Sequence, residues 1–338
     1  MSRPAAPRTG AEGDPAAVYR AAHESAIVAD LAARGRLGIS GADAADLMHR
    51  LTTNSIRDLK PGEGRPALFA TAKGRIIDLV LFHRLDDEFL CTTGEGRAEA
   101  VASWIDRYTF RDDVRVENRS VTHRTIGIYG LKAAGVASSL CPAAAAGWPA
   151  HHAEQFDSGG IAGVLARTFP LAGEGFLATV TADRGPKLID RLLERHSGTR
   201  AAGPDVLEAL RIEAGAPGPG RELTEDYNPW EAGLAEAVDL NKGCYVGQEV
   251  IARLNTYDKV SKCLVRLKIA GPETPPSGSA LLIDGRRTGT LTSVAVVPGE
   301  DRIIGLGYVQ DEHAEGGMAL QVAAPCGRIG AIIEGPAR

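Results

Sequence analysis

The sequence has no long apolar run, and its N-terminus lacks the apolar core that a signal peptide requires. The longest aliphatic stretch, residues 76–82, is interrupted by Asp78 and is far shorter than the ~20 apolar residues of a membrane-spanning helix. These absences predict a soluble, cytoplasmic protein with no membrane partner.

Cysteines are few and far apart, and none belongs to a Cys-x-x-Cys pair: Cys91, Cys141, Cys244, Cys263 and Cys326. This spacing disfavours a disulfide framework and a structural zinc site, and it fits a reducing compartment. The sequence also lacks GxSxG, HExxH, Walker and dinucleotide-binding motifs. We therefore predict no bound metal and none of these common catalytic sites.

The chain has no excess of positive charge. Its 38 lysine and arginine residues are outnumbered by 43 aspartate and glutamate residues, which gives a formal net charge of −5. Sequence-independent nucleic-acid binding requires a large cationic surface, so we expect no direct nucleic-acid partner. With 44% hydrophobic and 24% charged residues among 338, the composition indicates a globular protein of more than one folding unit.

Pattern and composition divide the chain into five segments. The alanine-rich stretch 15–34 predicts one helix, and the short alternating strands after residue 259 predict a small antiparallel β-barrel. The predicted segments are a flexible tail at 1–20, a first α+β module at 21–120, a second α+β module at 121–200, a connecting segment at 201–258 and the barrel at 259–338.

The two predicted modules repeat one plan. Ile39-Ser40-Gly41 aligns with Ile128-Tyr129-Gly130, and Phe89-Leu90 aligns with Phe176-Leu177. Each module is interpreted as an antiparallel sheet with two helices on one face. The alternative is that strand, glycine and helix follow one another by coincidence, because such units are common.

The candidate chemical site is residues 242–249, which read KGCYVGQE. Glycines on either side of Cys244 permit a tight loop, and the cation of Lys242 would favour a thiolate if the two side chains met. The alternative is that Cys244 is a small buried hydrophobe.

Two further charged residues suit a heterocyclic ligand with an acidic tail. The carboxylate of Glu174 can accept an N–H and an amine side by side, and Arg211 can bind carboxylates. The alternatives are a solvated turn for Glu174 and a helix charge paired within its own turn for Arg211.

The stretch LNKGCYVGQEVIARL resembles the signature of YgfZ-type folate-binding proteins, which are relatives of the glycine-cleavage T-protein, an aminomethyltransferase. LTTNSIRDLKPGEG, LRIEAG, NPWEAGL and TGTLTSVAVVP resemble further landmarks of that superfamily. The resemblance implies two intertwined α+β modules and a barrel around a central channel that binds tetrahydrofolate or a one-carbon derivative. It implies folate-binding or loop roles for these residues: Glu174, Arg211, Glu231, Lys242, Cys244, Gln248, Glu249 and Arg253.

The chain departs from the T-protein pattern where that family has a catalytic aspartate, because the matching position is Val101, and Gly94 stands where an asparagine is expected. The resemblance to YgfZ-type proteins implies a role in iron–sulfur cluster assembly or repair in client enzymes, including a tRNA-modifying one. Our first hypothesis is therefore a folate-binding accessory protein of this kind that acts through Cys244. The second is a folate-dependent aminomethyl or one-carbon transferase that uses Asp78 or Glu231 instead. A third is a relative that keeps the fold and binds no folate.

Overall fold

The computed structural model describes residues 13–256, 260–325 and 327–337, so Cys326 and the first part of the expected tail lie outside the described residues. Seventeen strands form three sheets within these ranges. In chain order the strands before the barrel are β1 (Ala26–Asp30), β2 (Arg34–Ser40), β3 (Gly64–Ala70), β4 (Ile76–Arg84), β5 (Glu88–Glu95), β6 (Arg115–Asn118), β7 (His123–Gly130), β8 (Ala153–Asp157), β9 (Ala162–Arg167), β10 (Glu174–Thr181) and β11 (Thr199–Ala202).

Helices cover the outer faces of the first two sheets and connect them to the barrel. They are α1 (Pro15–Glu24), α2 (Ala44–Leu51), α3 (Ala98–Tyr108), α4 (Ala133–Ala137), α5 (Gly185–Arg195), α6 (Pro204–Glu213) and α7 (Gln248–Thr256). Short 3₁₀ turns lie at Pro142–Ala146, Ala235–Ala237 and Asp311–His313.

The predicted repeat is confirmed element by element. β2, α2, β3, β4, β5, α3 and β6 of the first module correspond to β7, α4, β8, β9, β10, α5 and β11 of the second. The aligned residues are partners in the sheets, because Ile39 pairs with Phe89 and Ile128 pairs with Phe176. The spacing noticed in the sequence therefore records one strand order, β3-β4-β5-β2, that recurs as β8-β9-β10-β7. The last strands differ, because β6 pairs with β2 whereas β11 pairs with β1.

Each repeated glycine is required by its backbone. Gly41 has φ +117° and Gly130 has φ +128°. A Cβ atom would lie 2.1 Å from the carbonyl oxygen of Asp113 at the first position and 2.7 Å from that of Ala22 at the second. Only glycine tolerates both the left-handed φ and this close backbone approach.

The modules are intertwined through β1. The first sheet has the order β3-β4-β5-β2-β6, whereas the second has β11-β1-β7-β10-β9-β8, so a strand from the N-terminus lies in the second sheet. β1 pairs antiparallel with β7 and parallel with β11. The inner faces of the two sheets share one apolar cluster, in which Leu68 and Ile76 join Tyr129 and Leu177.

The structure corrects two expectations for the N-terminus. The predicted helix over 15–34 ends at Glu24, because the β-branched pair Ile27-Val28 is buried in β1 between two other strands. The expected flexible tail over 1–20 is wrong for residues 15–20, which form the first turns of α1 and bury Val18 and Tyr19.

The barrel prediction is confirmed. Six antiparallel strands close in the order β12-β15-β14-β13-β16-β17, and alternate side chains fill the interior. The strands are β12 (Lys262–Ile269), β13 (Ala280–Ile283), β14 (Arg286–Val296), β15 (Ile303–Gln310), β16 (Ala319–Ala324) and β17 (Gly327–Pro336).

Candidate functional site

The signature loop precedes α7 and presents Cys244 to solvent. Cys244 is exposed, whereas the next residue, Tyr245, is only 8% exposed and packs with Ala70 and Ile251. At Gly247, φ is +86° and a Cβ atom would lie 2.5 Å from the carbonyl oxygen of Thr71. The backbone on the C-terminal side of the thiol is therefore pressed against the β3–β4 turn, and the alternative that Cys244 is a buried hydrophobe does not hold.

Lys242 anchors this loop to the end of α2. Its Nζ donates hydrogen bonds to the carbonyl oxygens of His49, Thr52 (2.6 Å) and Asn54 (2.8 Å). Burial lowers the pKa of Lys242 to about 7, yet three carbonyl acceptors require all three protons of the ammonium form. Lys242 therefore caps a helix C-terminus, where a cation is favoured, and its three N–H donors are directed to backbone carbonyls and not to the thiol of Cys244.

His49 in turn hydrogen-bonds to the backbone of Lys242. Its Nε2–H donates to the carbonyl oxygen of Lys242 at 2.9 Å, and its Nδ1 accepts the backbone N–H of Ile56 at 3.3 Å. Burial, followed by the nearby charge of Lys242, lowers the pKa of His49, which keeps the ring neutral and preserves this tautomer. Lys242 and His49 thus form a reciprocal contact, which we name the loop clamp.

Backbone bonds continue the loop clamp on both sides. The N–H of Asp239 donates to the carbonyl of Thr53 at 2.9 Å, and the N–H of Val246 donates to that of Arg50 at 3.2 Å. Residues 239–246 thereby satisfy carbonyls that the end of α2 leaves without intrahelical partners. Cys244 thus lies on a loop that is anchored on both sides, although its own side chain is exposed.

The remaining signature residues lie on α7. Gln248 is half-buried, whereas Glu249 and Arg253 are exposed. The helix is fixed by Trp230, whose Nε1–H donates to the carbonyl of Ile251 at 2.8 Å. Their predicted roles in ligand binding stay predictions.

Asp78 is a buried carboxylate with one oxygen unused. Oδ2 accepts the backbone N–H of Gly94 at 2.9 Å, and Oδ1 has no hydrogen-bond partner among the described residues. A Cβ atom on residue 94 would lie 2.7 Å from Oδ1. Burial raises the pKa of Asp78 to about 6, against the opposing effects of the Gly94 hydrogen bond and Arg97. The absence of a side chain at Gly94 is what leaves room for this carboxylate.

Val101 is fully buried on the inner face of α3, where it packs with Leu37, Phe82 and Ile105 in the core of the first module. No polar group is delivered from this position. The site that the T-protein resemblance would assign to a catalytic aspartate is therefore part of the apolar core here.

Glu174 begins β10 and remains partly open to solvent. Its side chain is 34% exposed, and Oε1 lies 3.6 Å from a guanidinium nitrogen of Arg167. Gly173, with φ +111°, turns the chain immediately before it and approaches Gly130 closely. The loose ion pair leaves the carboxylate able to accept other donors.

Arg211 is fully engaged by the protein. It contacts Glu208 at 2.7 Å, the buried Glu222 at 3.0 Å, the hydroxyl of Ser293 at 2.7 Å and the carbonyl of Ala216 at 2.6 Å. These partners belong to α6, the connecting segment and the barrel. The sequence alternative, a charge paired within its own helix turn, accounts for Glu208 only, and sequence reasoning missed Glu222 entirely because nothing local marks it as a partner.

Glu231 is likewise held by neighbouring segments. Oε2 accepts the N–H of Asn228 at 3.0 Å and lies 3.5 Å from Arg75, and Oε1 accepts the hydroxyl of Ser261 at 3.1 Å. The side chain is only 4% exposed. It joins the connecting segment to the start of the barrel, so this geometry favours a structural role over catalysis.

Three cavities lie elsewhere. One of about 520 Å³ adjoins Tyr19, His23 and Glu213, and one of about 480 Å³ lies between Asp86 and Phe156. A third, of about 120 Å³, lies beside Arg36. Neither Cys244 nor Glu174 lines any of these three, so the placement of Cys244 at a channel mouth stays a prediction.

Two family domains together match nearly the whole chain. The GCVT N-terminal domain matches residues 8–242, and the glycine cleavage T-protein C-terminal barrel domain matches residues 262–335. The chain belongs to the glycine cleavage T-protein family. Among the described residues no helix of this family member has the length and apolar character needed to cross a bilayer, and no group of three or more histidine, cysteine or acidic side chains is arranged to hold a metal.

Relatives within the T-protein family have different names. A chloroplastic protein of Arabidopsis thaliana, provisionally named a transferase, is 31% identical over 88% of this chain and 68% of its own length. The aminomethyltransferase of Halalkalibacterium halodurans is 27% identical over 90% of this chain and 84% of its own. The glycine cleavage system aminomethyltransferase T of Bartonella henselae has the same fold, with a TM-score of 0.80 and 21% identity over 96% of this chain and 91% of that one.

Proposed function

We propose that this member of the T-protein family binds tetrahydrofolate or a one-carbon derivative and acts as an accessory protein in iron–sulfur cluster assembly or repair, with Cys244 as its working residue. The observation that carries the proposal is an exposed cysteine on a loop whose flanking residues are hydrogen-bonded to the end of α2. Val101 adds support, because a buried valine can neither orient nor deprotonate an amine at the position where a T-protein would use aspartate.

Among the described cysteines, Cys244 is the one whose thiol is exposed and can react with another protein. Cys91 and Cys141 are buried, and burial raises the pKa of both thiols, to about 11 for Cys141. Cys263 is half-buried, and burial raises its pKa as well. Thiolate is a preferred ligand of iron, but one cysteine cannot hold a cluster alone. Cys244 would therefore give one thiolate ligand while a client protein supplies the others.

The residues present fit a folate in part. Glu174 has a partly exposed carboxylate with only a long ion pair, so it can accept the adjacent N–H and amine of a pterin ring. Arg211 does not fit, because its donors are already bound to two carboxylates, a hydroxyl and a carbonyl. Arg253 is the exposed cation on α7 that remains for a carboxylate tail.

The cysteine role is tested in cells whose own copy of the gene is deleted. Cys244→Ala should lower iron–sulfur enzyme activities as far as the deletion does, whereas Cys263→Ala should restore them. Equal restoration by both variants would reject Cys244 as the working residue. Reconstitution of a stable four-thiolate cluster on the isolated chain would reject the accessory mechanism.

Folate binding is tested separately by calorimetric titration with tetrahydrofolate. Replacing Glu174 by glutamine should weaken binding about tenfold or more, since one charge-assisted pair is lost. Glu154→Gln, at another partly exposed carboxylate of the second module, should bind as the wild type does. No heat from the wild-type protein would leave only a fold relative without folate.

A second candidate is a folate-dependent one-carbon transferase that uses Asp78. The unpartnered Oδ1 and the raised pKa favour it, because a carboxylate with a pKa near 6 can exchange a proton near neutral pH. The test is formation of methylenetetrahydrofolate from tetrahydrofolate and an aminomethyl donor, with Asp78→Asn inactive and the surface variant Asp86→Asn active. Absence of product with the wild-type enzyme would eliminate this candidate.

A further inference from the structure

Arg36 is a fully buried arginine with too few acceptors. It lies on β2, on the face that is turned towards the second sheet. Its Nη2 donates to the carbonyls of Ser120 at 2.6 Å and Ala32 at 3.1 Å, whereas Nη1 reaches the carbonyl of Leu31 and the hydroxyl of Thr125 only at 3.5 Å. Nε has no hydrogen-bond partner among the described residues. A buried charged group with unused donors is costly, which points to an acceptor that is not part of the polypeptide.

The guanidinium also lacks a dedicated counter-ion. Asp30, the acidic group whose charge acts on Arg36, is itself paired with Arg124 at 3.3 Å. Burial, followed by the positive charge of Arg124, lowers the pKa of Arg36. Burial, followed by the charge of Arg119, lowers the pKa of His123, which also lines this region, so that its ring stays neutral.

A small cavity lies beside this buried charge. Its volume is about 120 Å³, room for about four water molecules or one small ion. Arg36, Arg119, His123, Thr179 and Thr181 contribute its polar lining. It shares its wall at Leu85, Glu88 and residues 162–164 with the adjoining cavity of about 480 Å³, which gives a route for entry.

The acidic residue in this wall is already neutralised. Both oxygens of Glu88 accept hydrogen bonds from Arg119, at 2.6 and 2.8 Å. Arg119 is also bonded to the solvent-exposed carboxylate of Glu117 at 2.8 Å, so it brings no surplus positive charge to the cavity. Arg36 is the arginine of the lining that has no carboxylate bonded to it among the described residues. The hydroxyl of Thr179, which lies 3.2 Å from that of Thr125, can turn towards a ligand.

We propose that this cavity, named the Arg36 cavity, binds a small oxyanion, either a phosphate or a short carboxylate, between the two repeated modules. The anion would accept charge-assisted hydrogen bonds from Arg36 and further bonds from Thr179 and the cavity rim. It would join residues of the first sheet to residues of the second and so stabilise their packing. This site does not depend on the proposed folate function.

The test is thermal unfolding of the full chain in sodium phosphate, sodium formate and sodium chloride at equal ionic strength and pH. A specific anion should raise the melting temperature by about 2–4 °C relative to chloride, since only the folded protein contains the cavity. Phosphate and formate arms separate the two sources of oxyanion. Titration calorimetry with the effective anion then gives the dissociation constant.

Three variants locate the site. Arg36→Lys keeps the charge and removes Nε, and it should abolish the anion-dependent shift. Because that variant can fail to fold, Thr179→Val serves as a second probe and should weaken anion binding about fivefold or more through loss of one hydroxyl. The matched control is Thr292→Val in the barrel, whose hydroxyl donates to the carbonyl of Leu306 and which should bind like the wild type.

Each outcome decides the proposal. A shift in the wild type that is lost in Arg36→Lys or reduced in Thr179→Val, but kept in Thr292→Val, supports it. Equal shifts in all variants mean an adventitious ion only and overturn it. No difference between chloride and the two oxyanions overturns it as well, and water then becomes the occupant of the cavity.

Discussion

The two modules share one topology but end their corresponding helices differently. In the first, α2 ends in carbonyls that the signature loop covers through Lys242 and Val246. In the second, α4 has only five residues and leads into a 3₁₀ turn at Pro142–Ala146. Corresponding helices of the two modules thus end in different surroundings, and only the end of α2 supports the loop that carries the exposed thiol of Cys244.

Substitution of the repeated glycines Gly41 and Gly130 should give the largest loss of folding stability. Gly41→Ala should lower the free energy of unfolding by about 4 kcal/mol, and Gly130→Ala by about 3 kcal/mol, because each adds a backbone clash to a left-handed φ. Gly96 is the control, since it has φ +66° but open space around it, and alanine there should cost only about 1 kcal/mol. Urea unfolding measures all three. Equal losses at the three positions would mean that φ alone, and not the close approach, fixes the repeat.

Removing the Lys242 side chain from the loop clamp should give the next largest effect, measured as faster amide exchange. Lys242→Met leaves three carbonyls without their donor, so amide exchange of Asp239 and Val246 should accelerate about 100-fold. Lys132→Met, at the exposed start of α4 in the second module, is the control and should leave exchange of Asp239 and Val246 unchanged. Exchange that is slow in both variants would show that the backbone bonds alone hold the loop.

Asp78 should then weaken the first module above pH 6. Its pKa is raised by burial from 3.8 to about 6, so the folded protein holds the proton more tightly than the unfolded chain. Stability is therefore lost as the pH rises from about 4 to 6, and Asp78→Asn should increase the free energy of unfolding at pH 7 by up to about 3 kcal/mol. Strand β9 of the second module has no acidic residue or histidine, so Val164→Thr there should leave the pH dependence as it is. An unchanged or lower stability of Asp78→Asn at pH 7 contradicts this.

His83, at the other end of β4, should lower the free energy of unfolding as the pH falls, which is opposite to the effect of Asp78. The effect should also be smaller. Burial, with the charges of His151 and His152, lowers its pKa from 6.5 to about 3. The unfolded chain takes up this proton first, so stability falls by about 1.4 kcal/mol for each pH unit below 6.5. His83→Phe should remove that loss, and urea unfolding at pH 7 and 5.5 measures it. The same acid sensitivity in His83→Phe and wild type would place the responsible group elsewhere.

The sequence predicted those strands and helices whose apolar spacing is visible within a single stretch of chain. The alternation around Ile39 and Phe89 recurs at Ile128 and Phe176, and the structure pairs these residues as the repeat requires. The prediction failed at β1, because the alanine-rich stretch before it continues a helical period and β1 becomes a strand only through its distant partners in β7 and β11.

For the candidate site, too, features set by local sequence were predicted, whereas contacts between distant segments were not. The tight turn at Gly247 follows from the residues themselves. The exposure of Cys244 does not, because a lone cysteine is more often a small buried hydrophobe, and only the resemblance to the signature favoured an exposed thiol. The role of Lys242 also does not follow from local sequence, because its acceptors at the C-terminal end of α2 and just beyond it lie almost two hundred residues earlier in the chain. Arg211 was misleading in a similar way, since its partners Glu222 and Ser293 come from segments that meet only in the folded protein.

The position of β1 has a consequence for biosynthesis. A ribosome delivers residues 26–30 early, but the antiparallel neighbour of this strand is not made until residues 123–130 emerge, and the parallel one follows at residues 199–202. During that interval β1 has no strand partner on either edge while the first sheet forms. Unpaired strand edges favour wrong pairing or chaperone binding. Expression of either half of this protein alone should therefore yield an aggregation-prone fragment, and any dissection into separate domains would have to carry the N-terminal strand along with the second sheet.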